Sequence, residues 1–223
     1  MKGLFVQMKT NRAISIAISL LFLMVPLSFA VLHAAEKKPA RHDADNPKPG
    51  APIDTEKLRR LAWGPPAPNG LGAASYFEPT KEAYVDGEVV KRRVVFHNSG
   101  KDPVLFTVGL GGNDDGWTVV DEQGQELPLE HVTYTGLVRL MAFRLQPGHA
   151  IELDCMSTGM GAAAKVDHPA DTTIRTKPGT TCHVCWALHV NETTRVVKGK
   201  GVPVPGVWHG TLTTGEVVFR IGE

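Results

Sequence analysis

The chain has 223 residues, 42% hydrophobic and 21% charged, a balance that supports a packed core and excludes a disordered polymer. Its 23 Gly and 16 Pro against 7% aromatic residues favour many turns and short elements over long helical bundles. A formal net charge of +1 supplies no field that would gather nucleic acid or an anionic membrane surface, so neither is an expected partner.

Lys2, Lys9 and Arg12 precede the uncharged run Ala13–Val25, and no acidic residue occurs before Glu36. A positive start, an apolar core and the helix breaker Pro26 are the layout of a secretory signal. Ser28-Phe29-Ala30 places small residues where a signal peptidase reads them, so cleavage after Ala30 is expected, with Ala34 and Ala35 as alternative sites. The competing reading is an uncleaved anchor, because Ala13–Leu32 is just long enough to span a bilayer. Loss of residues 1–30 removes three basic and no acidic residues and leaves 21 basic against 23 acidic. The expected product is a mildly acidic periplasmic or extracellular protein without a stable membrane span.

Residues 31–54 read as a linker. Glu36–Asp54 is charged and Pro-rich with no hydrophobic period, so it cannot bury enough surface to offset its ordering entropy and is expected to be disordered. Its basic residues Lys37, Lys38 and Arg41 interleave with Glu36, Asp43 and Asp45, which favours a solvated tether over a basic patch.

The folded domain is expected over residues 55–223. Thr55–Ala62 predicts a short helix capped by Thr55. Beyond Trp63-Gly64-Pro65-Pro66, β-rich runs recur at Leu71–Phe77, Val89–His97, Val104–Leu110, Trp117–Asp121, Leu137–Leu145, Ala150–Cys155, Thr181–Val190, Val207–Leu212 and Glu216–Ile221. Within the second run Val90, Arg92, Val94 and Phe96 oppose Lys91, Arg93, Val95 and His97, giving an apolar face with an arginine intruding near its edge. Asn98–Pro103, Asp121–Gly124, Gln146–Gly148 and Lys177–Gly179 carry the Gly and Pro that turns require. Trp208–Phe219 reads as a closing hairpin turned at Thr214-Gly215. The spacing predicts an all-β fold, a two-sheet antiparallel sandwich of about 8–9 strands. Its expected core is Phe96, Phe106, Trp117, Phe143, Trp186, Leu188, Trp208 and Phe219.

Trp63-Gly64-Pro65, Asn69-Gly70-Leu71, the run Val94–Lys101, Lys177–Thr180 and the closing Trp208-x-Gly210-x-Leu212-x-Thr214-Gly215-Glu216-Val217 resemble the immunoglobulin-like β-sandwich modules common in exported planctomycete proteins. The resemblance covers about Trp63 to Ile221. It implies a sandwich fold and carries no catalytic residues.

Cys182-His183-Val184-Cys185 is the sharpest chemical feature, since C-x-x-C can form a redox pair, half a zinc site or a haem attachment. Trp186 follows in place of the histidine that haem attachment needs. The surrounding alternation places Cys182 and Cys185 on opposite faces of a strand, away from the helix N-terminus of a thioredoxin-like pair. The expected state is one disulfide, Cys155 with Cys182 or with Cys185, and one free thiol. The alternative is a copper or zinc site, or a redox centre, from Cys182, His183, Cys185 and His189, with Met156 and Met160 as soft donors in a flexible stretch.

Gly111–Gly116 lacks the spacing of a calcium loop and reads as a turn, Asn191-Glu192-Thr193 matches a glycosylation sequon, and no nucleophile elbow or phosphate-cradling loop occurs. No cofactor and no catalytic residue is expected. The leading expectation is an exported, non-catalytic module with a binding, adhesion or envelope-associated role, directed at a protein or envelope component and contacting it through Gly109–Gly116 and Met156–Asp171. An inhibitor or accessory domain of an exported enzyme would carry the same sequence features.

Overall fold

The computed structural model describes residues 48–109, 116–131, 140–165, 172–190, 194–197 and 200–222. The signal-like segment, most of the linker, residues 110–115 and the sequon lie outside the described residues.

The chain begins with β1 (Lys48–Pro49), β2 (Ala51–Pro52) and helix α1 (Thr55–Arg60), then β3 (Leu71–Glu78), β4 (Ala83–Val85), β5 (Val89–Asn98) and β6 (Val104–Gly109). It continues with β7 (Gly116–Val120), β8 (Leu129–His131), β9 (Leu140–Leu145), β10 (His149–Met160) and β11 (Thr172–Ile174). The last elements are β12 (Thr181–Val190), β13 (Thr194–Val197), β14 (Lys200–Pro203), β15 (Val207–Trp208), β16 (Gly210–Thr213) and β17 (Val217–Gly222). The described fold is therefore all-β apart from α1.

The sheets are mixed, where antiparallel pairing was expected. One runs β1-β9-β6-β15, a second β3-β5-β10-β11-β8, and a third β16-β12-β17-β4 with β7 on the other side of β12. The four parallel pairs, β1 with β9, β10 with β11, β15 with β6 and β17 with β4, each add a strand of only two or three residues delivered by a loop. The long strands β3, β5, β10 and β12 keep antiparallel neighbours. Short strands that carry no hydrophobic period, such as β1, β4 and β11, are invisible to a pattern search.

Part of the expected linker is ordered. Lys48–Pro49 pairs with Phe143–Arg144 of β9, and Ala51–Pro52 pairs with His149–Ala150 of β10. Gly50 sits between them, where an added Cβ would overlap Leu145 and approach the Ala150 carbonyl oxygen at 2.8 Å. The segment thus clasps two sheets through backbone hydrogen bonds, which need no apolar side chains. Helix α1 is capped by Asp54, not Thr55: the Asp54 carboxylate accepts from the Glu56 amide at 2.9 Å while Thr55 is already helical.

Two clusters form the core. Leu71, Val94, Phe96, Phe106, Phe143, Trp186 and Leu188 belong to one; Phe77, Tyr84, Val90, Met160, Ile174, Cys182, Val184 and Phe219 belong to the other. Six of the eight expected core residues are buried, and Trp117 and Trp208 are half-buried at the margins. Arg92 is central, not near an edge. It is 2% exposed, and its guanidinium carbon lies 4.2 Å from the ring centroids of both Trp117 and Trp186. Opposite it, β10 bulges between Asp154 and Ser157, setting two residues against one and making room for the long side chain.

The expected closing hairpin does not form. β16 and β17 lie end to end along the same edge of β12, with Leu212 opposite Leu188 and Val217 opposite Val184. At the break the Thr214 amide donates to the Trp186 carbonyl at 2.8 Å, and the Thr214 hydroxyl accepts from the Trp186 amide at 3.1 Å. The strap Ala62-Trp63-Gly64 enters this gap: Gly215 donates to the Ala62 carbonyl at 3.0 Å, Gly64 donates to the Ala73 carbonyl at 3.1 Å, and an added Cβ on Gly64 would overlap the Thr213 carbonyl. Thr214 is 4% exposed. Thr214→Val keeps its shape and strands the Trp186 amide, so we expect a loss of about 1–3 kcal/mol in urea unfolding, while Thr214→Ser retains most of the stability.

On the outer face of the second sheet, Glu152 accepts from Lys57 of α1 and from the Tyr76 hydroxyl. Burial pushes the Glu152 carboxyl up, but these two hydrogen bonds outweigh it and hold it below the ordinary glutamate value. A depressed carboxyl contributes stability that is present above its unfolded value and lost as pH falls through the lower folded value. The melting temperature of the native chain is therefore expected to exceed that of Glu152→Gln at neutral pH, to lose that margin progressively as pH falls below the ordinary carboxylate value of about 4, and to converge on it only below the lower folded value.

Candidate functional site

Strand β12 alternates as its sequence requires. Cys182, Val184, Trp186, Leu188 and Val190 are buried, while His183, Cys185, Ala187 and His189 occupy the other face. Cys182 and Cys185 are therefore separated by the sheet. Cys155, at the β10 bulge, packs on the cluster of Trp186, whereas Cys182 belongs to the cluster of Phe219. No disulfide joins the three cysteines in this structure, where a bridge between Cys155 and Cys182 or Cys185 was expected. Burial pushes the Cys182 thiol up to about 12, and burial followed by the nearby Glu216 carboxylate pushes the Cys185 thiol up as well, so neither is poised as a thiolate.

The four proposed metal ligands do not converge. At about 3.3 Å per residue, Cys185 and His189 stand about 13 Å apart along the strand and His183 and His189 about 20 Å apart. His183 Nδ1 lies 3.2 Å from Glu216, and His189 Nδ1 lies 3.0 Å from the Thr211 hydroxyl. Among the described residues no three His, Cys, Asp or Glu side chains lie close enough to share an ion. Met160 is fully buried in the core, and the stretch from Met156 to Met160 is a continuation of β10, not a flexible loop. The other expected contact surface, Gly109–Gly116, is described only at its two ends.

The structure instead builds a cleft of about 710 Å³ at one end of the sheets, from residues that the sequence marked only as turns and packing. The turn Ala67–Gly70 forms one wall, Ser99–Pro103 another, and Gly206–Trp208 the third, with Val104 and Leu105 of β6 between them. The walls are rigid for identifiable reasons. Asn98, fully buried, donates through Nδ2 to the carbonyls of Asp102 at 2.8 Å and Leu145 at 3.0 Å, and its Oδ1 accepts from the Gly100 amide at 2.9 Å. The Ser99 amide and hydroxyl both donate to the Gly70 carbonyl at 2.9 Å. Gly70 has φ +84° and crosses Gly100 so closely that a Cβ on either would overlap the other turn.

The interior offers mixed chemistry. Lys101 and Asp102 are exposed neighbours of opposite charge, and neither side chain has a partner among the described residues. Asn69 spends its Oδ1 on the Leu71 amide at 3.1 Å, and its Nδ2 stays available. The half-buried Trp208 indole covers the core with one part and lines the cleft with another, fixed by Gly210, where a Cβ would stand 2.9 Å from the ring. The turn signal Asn98-Ser99-Gly100, and Asn69-Gly70 as part of the resemblance, carried the only hint of this site. Their contact across 30 residues is not legible in one dimension.

A second cleft, of about 410 Å³, lies beneath α1 between Leu58, Trp63 and His97. Burial pushes the His97 imidazole down, and its ring lies 5.7 Å from that of Trp63. Comparison with protein-family models, with curated proteins and with solved structures found no match to this chain.

Thiol labelling checks the cysteine assignment. Denaturation without reductant is expected to expose three reactive thiols, while in the native protein Cys182 resists alkylation. A single reactive thiol would restore a bridge.

Proposed function

We propose that the chain is an exported, non-catalytic binding module built on an immunoglobulin-like two-sheet sandwich, with the Asn69–Lys101–Trp208 cleft as its ligand site. The observation that carries this reading is the preorganisation of the cleft. A buried asparagine and a glycine crossing hold two turns in place, while Lys101, Asp102 and Asn69 Nδ2 are left for an outside partner. Rigid walls reduce the ordering cost of binding. Ser99, the hydroxyl in the cleft, donates to a backbone carbonyl, so the side chains here are suited to recognition and offer no activated nucleophile. Export is supported by the positive start, apolar run and small-residue site of the first 30 residues. No helix among the described residues is long and apolar enough to cross a membrane.

The native protein is expected to have an intact mass that begins near Val31 and to cosediment with isolated cell envelope. Lys101→Ala/Asp102→Ala is expected to lower that affinity about fivefold, equivalent to about 1 kcal/mol, at an unchanged melting temperature. Retention of residues 1–30 would overturn the export reading, and binding indifferent to the double variant would overturn the site.

A further inference from the structure

Resting on the cleft reading above, we propose that its ligand is a neutral saccharide. Lys101 and Asp102 stand side by side with opposite charges, so the mouth carries no net charge, and neither a phosphorylated or sulfated polymer nor a polycation gains electrostatically by entering. The same mouth presents donors at Lys101 and Asn69 Nδ2 and an acceptor at the Asp102 carboxylate within one small volume. A ligand group that donates and accepts at once satisfies both, and a sugar hydroxyl does so. Between these polar groups lie the apolar surfaces of Pro68, Pro103 and the Trp208 indole. Sugar rings offer matching C–H faces, which pack on an indole or a proline ring without requiring charge.

An extended peptide would use the free margin of β15, but that strand is only two residues long, and one residue beyond it stands Gly210 at φ +151°. It offers too short a ladder for strand addition, the source of affinity in that mode. A purely apolar ligand would leave the Asp102 carboxylate and the Lys101 ammonium partly desolvated and unpaired. Saccharide chemistry leaves none of the three polar groups unpartnered.

The test is an amide NMR titration of the full exported chain with chito-, cello- and manno-oligosaccharides, a proline-rich peptide and heparin as separate probes. A neutral oligosaccharide is expected to shift amides at 67–70, 100–103 and 206–208 with Kd of about 0.1–1 mM, the weak range of a shallow, solvent-open site. Asn69→Asp keeps the Oδ1 acceptor for Leu71 and removes the Nδ2 donor; it and Lys101→Met are each expected to weaken binding about five- to tenfold with the remaining spectrum unchanged. Cleft shifts with the peptide or heparin but with none of the three sugars would overturn the saccharide assignment while the cleft remained a binding site. Shifts with no probe, or shifts outside the cleft, would overturn both, and sugar binding indifferent to the two variants would remove these side chains from the site.

Discussion

The buried guanidinium of Arg92, held 4.2 Å from the rings of Trp117 and Trp186, joins β5 of one sheet to β7 and β12 of the facing sheet. A cation at 2% exposure tolerates such a place only where its surroundings replace water, and two indole faces do so through their quadrupoles. The constraint spreads from there. β10 bulges where it passes Arg92, which sets Cys155 against the core, and Trp186 must hold its ring in register, which the two hydrogen bonds with Thr214 ensure. The same Thr214 marks the break between β16 and β17, into which the Ala62-Trp63-Gly64 strap fits. One buried charge is thus tied, through ring contacts and backbone pairing, to the placement of six strands and a loop.

The cleft at the far end is organised by different means. Here no charge is buried; a neutral amide, Asn98, bonds to three backbone groups and so converts a six-residue turn into a fixed wall. Fully satisfied buried networks of this kind specify a single geometry. The glycine crossing at Gly70 and Gly100 then fixes the distance between walls, because any side chain there would push them apart. Binding groups on turns fastened in this way are positioned by the sheets beneath them.

The three cysteines illustrate how a local motif can mislead. C-x-x-C draws attention because it often closes around a metal or a disulfide, yet in a regular strand its two sulfurs face opposite ways. The same argument disperses His183 and His189, since every residue along a strand adds about 3.3 Å. What remains on the outer face is His183 beside Glu216 and a thiol raised by burial and by that carboxylate.

The long strands were legible in the amino-acid sequence because their signal is local. The alternation of Val90, Arg92, Val94 and Phe96, and of Val184, Trp186, Leu188 and Val190, is written in consecutive residues, and Thr181–Val190 matches the strand residue for residue. So were the turns at Gly124, Gly148 and Gly179, where positive φ needs glycine. The pairing of Lys48–Pro52 with β9 and β10, the end-to-end arrangement of β16 and β17, the separation of the cysteines into two clusters and the approach of Asn69 to Lys101 were decided only by the tertiary structure. Each depends on backbone hydrogen bonds or contacts between distant residues. Those bonds form from peptide groups that every residue carries, so they leave no mark in the order of side chains.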